Sequence, residues 1–289
     1  MTAQNNSLIE IHNGGEFHWV GDGFPVRSIF GYNDFANQIS PFLLLDYAAP
    51  YNFKPSDKRR GVAAHPHRGF ETVTIVFQGE LEHRDSLGGG GLIGAGDVQW
   101  MTAGSGLLHQ EYHGETFSKK GGTFEVIQLW VNLPAQHKNA KPNYQTLLKS
   151  TIPTVSFENG GGEMRIIAGN FDSARGPAKT FTPINLWELS LEKDRQISLP
   201  LGRATTRAIF LISGSLLING AKLMAEQLAI VKTHDDQIQL TASESSKALI
   251  LNGEPINEPI VGYGPFVMNT QEEIRQAFAD FKSGRFGEL

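Results

Sequence analysis

Short runs of apolar residues, broken by turn residues, make up most of this chain. The runs ETVTIVF (71–77), FEVIQLWV (124–131), RAIFLI (207–212) and KALIL (247–251) are rich in β-branched and aromatic residues. Turns containing glycine, proline or asparagine separate them at short intervals, which predicts many short strands in a sandwich or barrel. One segment departs from this pattern. In NTQEEIRQAFADF, Thr270 and Glu273 have the spacing of a capping box, and Ile274, Ala277, Phe278 and Phe281 fall at i, i+3, i+4 and i+7. Gly284 stands where a C-terminal cap would stop the helix. A terminal helix with its apolar face on a barrel is therefore expected.

The chain also echoes itself. IVFQGELEHRD (75–85) is similar to FLISGSLLING (210–220): an apolar strand, a corner at glycine, then another strand. LIGAGDVQWM (92–101) stands in the same relation to LMAEQLAIVK (223–232). Two copies of one β unit account for both. The polar stretch PAQHKNAKPNYQ (134–145) reads as a linker, placing the division near residue 140: a first barrel over 1–139, and a second over 140–289 that includes the terminal helix.

Composition narrows the chemistry. The chain has 289 residues, 40% hydrophobic and 19% charged, enough for two folded cores. A net charge of -5 gives no general attraction to nucleic acid or anionic membrane. The N-terminus has no basic stretch followed by an apolar run, and no apolar run approaches the length of a membrane span, so a cytoplasmic location is expected. Cysteine is absent, which excludes disulfides, thiolate metal sites and a thiol nucleophile. Any metal must be bound through nitrogen and oxygen.

The donors for such a site lie in the first half. In HPHRGFETVTIVFQGE (65–80), His65 and His67 share one face of an extended strand and can reach one ion. Glu71 has the same parity, and without a bulge Val73, Ile75 and Phe77 continue that face as apolar lining. In GSGLLHQEYH (104–113), His109 and Glu111 again share parity. Three imidazoles and a carboxylate suit a divalent first-row metal. His83 and His113 have open roles. Phe70, Trp100 and Trp130 read as core, and Arg68 as a salt-bridge residue. The GGGG tract (88–91) lacks the Lys-Ser/Thr of a phosphate loop and reads as a hairpin turn or rim loop. In the second half, the single histidine is His234, and the positions matching His65 and His67 fall near Pro200 and Gly202, so a metal-free second barrel is expected.

With these residues in view, the chain resembles the pirin family of bicupins. The resemblance is carried by HPHRGFETVTIVFQGELEHRDSLG (65–88), GDVQWMTAGSGLLHQE (96–111), QLWVNLPAQHKNAKPNYQ (128–145) and GEPINEPIVGYGPFVMNTQEEIRQAFADFKSGRFG (253–287). It implies an all-β fold of two cupin-type (double-stranded β-helix, or jelly-roll) barrels with a C-terminal helix. It places the metal ligands on His65, His67, His109 and Glu111 and leaves Glu71 out. The implied cofactor is one divalent metal, Fe(II) first, with Mn, Ni, Cu, Co or Zn compatible. The implied activity is opening of a flavonol such as quercetin with O2 (quercetin 2,3-dioxygenase activity), with Glu111 as proton acceptor. The alternative it implies is a non-enzymatic iron-dependent redox sensor that binds a protein partner. A monomer is expected.

Overall fold

The computed structural model describes residues 8–202, 205–232 and 235–289; His234 lies outside the described residues. It divides into two compact units, each built from one seven-stranded and one four-stranded antiparallel sheet.

The first unit holds residues 15–37, 42–149 and 256–289. Its larger sheet runs in the order Asn143–Leu147, Val98–Thr102, Phe70–Gln78, Gly122–Asn132, Phe42–Phe53, Phe24–Phe30, Phe17–Val20. The smaller runs Gly61–His67, Leu107–His113, Glu80–Asp85, Gly90–Gly94. One end of the interior is closed by Phe24, Phe53, Leu81, Phe117, Phe124 and Val126. A polar row follows. Asp46, Gln128, Thr74 and Gln99 are successive cross-strand partners on one face of the larger sheet.

The expected helix spans Gln271–Lys282. Thr270 caps it by accepting from the Glu273 amide, and Gly284 follows the Ser283 cap with φ +78°. Ile274 and Ala277 pack with Phe266, Met268 and Phe286. Phe281, expected on the packed face, is 38% exposed.

The second unit holds residues up to 14, 38–41 and 150–255. Its sheets run Leu8–Asn13, Gln227–Lys232, Thr206–Ser213, Ser246–Gly253, Ile184–Leu191, Gly162–Ala168, Thr154–Ser156, and Gln196–Pro200, Gln237–Ala242, Ser215–Ile218, Ala221–Met224. The sequence echo is a structural one. The two hairpins turn at Gly79 and Gly214, with φ +91° and +87°. Four residues past each turn, His83 pairs with Glu111 and Ile218 with Leu240. Counting along the same strands, Ile238 and Ala242 stand where His109 and His113 stand. Ile218, Ile238, Leu240 and Ala242 are buried and carry no donor atom.

Two expectations are corrected. The division is not a single cut near 140. The first described strand, Leu8–Asn13, pairs with Gln227–Lys232 of the second unit, and the terminal helix groups with the first. Pairing across more than two hundred residues leaves no mark on local sequence. The segment 134–145 is not a linker either. Tyr144 and its neighbours form an edge strand paired to Val98–Thr102, and Lys138 is 1% exposed. The Lys138 ammonium donates to Asn132 Oδ1 (2.6 Å), Gly69 O (2.8 Å) and Val267 O (2.9 Å), so its polarity is spent inside the unit. Among the described residues no helix is long and apolar enough to cross a membrane.

Replacing Lys138 by Met would leave three buried acceptors without a donor. We expect Lys138→Met to lower unfolding free energy by about 3 kcal/mol or more, measured by urea denaturation. An unchanged midpoint would show that the lysine is dispensable.

Candidate metal centre

His65 and His67 project from Gly61–His67, and His109 and Glu111 from its ladder partner Leu107–His113. His109 lies opposite His65, and a register shift between His109 and Glu111 sets the carboxylate opposite Val62. The donor atoms of His65, His67 and His109 all lie within 4.8 Å of one another. Those of His83, His109 and Glu111 form a second such group, so His109 is common to both. The four ligand candidates therefore fall in two overlapping groups rather than one, Glu111 being linked to His65 and His67 only by way of His109, and His83, whose role was open, lies in the second group.

Each ring is anchored through one nitrogen. His65 Nδ1 donates to Ala63 O at 2.8 Å, and His67 Nδ1 to Pro265 O at 3.3 Å. His109 Nδ1 lies 3.3 Å from His83 Nδ1, while His109 Nε2 is buried without a partner. Anchoring one nitrogen of each ring frees the other as a lone-pair donor. Burial, more than the neighbouring imidazoles, holds His67 and His109 well below the ordinary imidazole value, so they stay neutral. Neutral imidazoles around an unpartnered buried nitrogen, next to a carboxylate, fit a divalent cation bound through nitrogen and oxygen.

Glu111, 4% exposed, is held from the opposite sheet. Gln99 Nε2 donates to its Oε1 at 2.5 Å, and Gln128 Nε2 to its Oε2 at 3.3 Å. The single proton of Thr74 is shared between Gln128, the shorter contact, and Glu111. Tyr144 donates to Gln99 Oε1 at 3.2 Å. These supporting residues were not foreseen. The available signal was an amide set into an apolar strand, in DVQWM and in VIQLW.

The lining differs from the parity expectation. Thr74, not Val73 or Ile75, faces the site, because Gly69 (φ +88°) ends one strand and the next lies in the other sheet. Parity is not carried across such a break. Val73 and Ile75 pair with Trp100 and Val98 on the other face. Glu71 shares that face, its Oε1 accepting from Thr102 at 2.7 Å, and it belongs to neither donor group. Trp100 is core, as expected. Phe70 is core as expected, packed with Leu43 and Val267, and Trp130 lies against it; the two rings stack at 4.2 Å, and each also meets His67, at 5.1 and 5.2 Å. Tyr32 extends this aromatic wall against Trp130. His113 sits deeper, donating to Gly23 O at 2.9 Å among Phe24, Phe53 and Phe124, and burial pushes it down to about 4. Arg68 forms the expected ion pair, with Asp280 of the terminal helix at 2.6 Å, but largely buried.

Fold and donor set together define a two-barrel cupin whose first barrel carries a site compatible with a divalent metal. Comparison with known proteins narrows this. Residues 23–131 match the pirin family and residues 186–287 the pirin C-terminal cupin domain. A relative from Pseudomonas aeruginosa, named "Putative quercetin 2,3-dioxygenase PA2418", is 51% identical, covering 96% of this chain and 98% of its own. Pirin-1 of Arabidopsis thaliana is 34% identical, covering 99% and 98%. The crystal structure of a quercetin 2,3-dioxygenase from Acinetobacter baumannii superposes with TM-score 0.95 at 47% identity, covering 99% of both chains. The bacterial pirin YhhW from Escherichia coli, solved with nickel(II), shares the fold at TM-score 0.65 and 21% identity, covering 86% of this chain and 100% of its own. This chain belongs to the pirin family.

Burial raises the Glu71 carboxyl to about 7. A carboxyl whose folded value is raised contributes stability that is present in full below its ordinary value of 4.5 and is lost as pH climbs through about 7. Glu71→Gln should therefore flatten the decline in stability between pH 5 and 8, a difference of roughly 3 kcal/mol. Urea midpoints across that range test it, and a parallel pH profile in the variant would refute it.

Proposed function

We propose that this protein is a metal-dependent dioxygenase of the pirin type, opening a flavonol such as quercetin with O2, with His65, His67, His109 and Glu111 as the metal ligands and Fe(II) as the first candidate ion. The observation that carries the reading is the aromatic wall of Phe70 and Trp130 set against His67, where three imidazoles converge. A flat aromatic substrate needs such a wall, and a cation site beside it brings the reacting edge to the chemistry. The 51% identical relative named for this activity supports the same reading.

When bound, the ion supplies Lewis acidity toward an enolate oxygen and electron exchange with dioxygen. The chain's own residues do the rest. Phe70 and Trp130, stacked on each other and set against the His67 ring, form an apolar wall beside which the substrate ring lies, and they exclude water from that side. Glu111 accepts the substrate's hydroxyl proton at Oε2, the oxygen with the longer hydrogen bond, while Gln99 keeps Oε1 in place. Burial keeps the rings of His67 and His109 neutral and their lone pairs available.

Iron-loaded protein under air should consume quercetin, followed by loss of its visible absorbance, faster than the same concentration of free iron. Equal rates would count against the enzyme. His67→Ala should lose both the bound ion, by elemental analysis, and turnover, with its circular dichroism unchanged. Retention of a full equivalent of metal would remove His67 from the ligand set.

A further inference from the structure

A fully buried histidine and a run of four glycines have no part in the chemistry above. His83 is 0% exposed, and its ring stacks on Tyr144 with centroids 4.8 Å and planes 18° apart. One side of the ring meets His109, Nδ1 to Nδ1, at 3.3 Å. The other side faces Asp85, with Nε2 3.7 Å from Oδ2. Asp85 is itself fixed: its Oδ1 accepts from the Leu87 and Gly89 amides, each at 2.9 Å, which leaves Oδ2 toward the histidine.

Two imidazole nitrogens this close require a proton on one and a lone pair on the other. His109 Nε2 is buried without a partner and is the nitrogen left for a cation. If it binds through its lone pair, the His109 proton sits on Nδ1 and is donated to His83 Nδ1. The His83 proton then sits on Nε2, directed at Asp85. This tautomer pair joins the two imidazoles by a hydrogen bond, while His83 Nε2, 3.7 Å from Asp85 Oδ2 and without a hydrogen bond, meets the carboxylate through its N–H dipole alone.

The glycine tract is shaped around this pair. A Cβ at Gly89 would lie 2.2 Å from Asp85 Oδ2, and one at Gly90, where φ is +151°, would lie 2.3 Å from the His83 carbonyl oxygen. A side chain at position 89 would evict the carboxylate. Gly89 is thus the seat for Asp85 and Gly90 lets the hairpin close on the His83 backbone, while a Cβ at Gly88 would meet open space.

We infer that His83 and Asp85 are positioning residues: through His109 they form a His109–His83–Asp85 relay that sets the tautomer of a metal ligand and lends it carboxylate charge. The inference rests on His109 being a ligand in the metal-centre reading. A carboxylate behind a ligand imidazole makes it a stronger donor and favours the higher charge state of the ion.

The test uses the full chain and ferrous iron without oxygen. Chelator competition gives the affinity, and a redox titration gives the Fe(III)/Fe(II) midpoint. Asp85→Asn keeps an oxygen for the two amides and removes the charge. It should weaken iron binding by roughly 10- to 100-fold and raise the midpoint. Gly89→Ala keeps the charge but displaces it, and should move the midpoint the same way. A residue that merely props up the hairpin would change the unfolding midpoint and leave the potential alone. Wild-type affinity and potential in a folded Asp85→Asn, or an unmoved potential in Gly89→Ala, overturns the relay. Wild-type protein that takes up no iron overturns the metal-centre reading itself, a result seen before any variant is compared.

Discussion

A buried imidazole can offer one nitrogen to a cation only when something else holds the other. That requirement organises the first barrel. His65 is held by a carbonyl of its own strand, His67 by the carbonyl of Pro265, 198 positions later, and His109 by the ring of His83 on the neighbouring strand. Glu111 is held from across the barrel by Gln99 and Gln128. Donors and anchors come from both sheets and from the C-terminal segment, so the site exists only when the whole unit is folded.

The C-terminal segment does more than cover a core. Pro265 aims His67, Val267 takes a hydrogen bond from buried Lys138, and Asp280 pairs with Arg68, the residue after His67. Its last turn reaches two further loops: the Phe286 ring fills the space that a side chain at Gly106 would need, and Ser86 donates to the Phe286 carbonyl at 2.5 Å. Each strand carrying a ligand candidate is thus braced near its end. This explains why a helix read at first as packing surface groups with the metal-site barrel.

The two units share an architecture and differ in their interiors. Where one holds His83, His109, Glu111 and His113, the other holds Ile218, Ile238, Leu240 and Ala242 at matching places in the same ladders. The antiparallel frame tolerates either set. A polar interior needs every donor and acceptor partnered, and Gln99, Gln128, Thr74 and Tyr144 supply partners in the first barrel. The apolar interior needs only volume.

The sequence by itself determined what local pattern encodes. The alternation of short strands, the capping box at Thr270, the paired hairpin turns at Gly79 and Gly214 and the two donor pairs, His65 with His67 and His109 with Glu111, are each written within a few residues, where backbone geometry and side-chain parity are decided. The tertiary structure decided what depends on distant partners. The face presented by Phe70–Gln78 followed from a change of sheet at Gly69 that parity cannot cross. Lys138 found three acceptors that composition could not foretell, and the strand Leu8–Asn13 found its ladder more than two hundred residues away. His83 and the glycine tract became intelligible only together, because a buried ring's partners are set by where strands meet in space and not by their order along the chain.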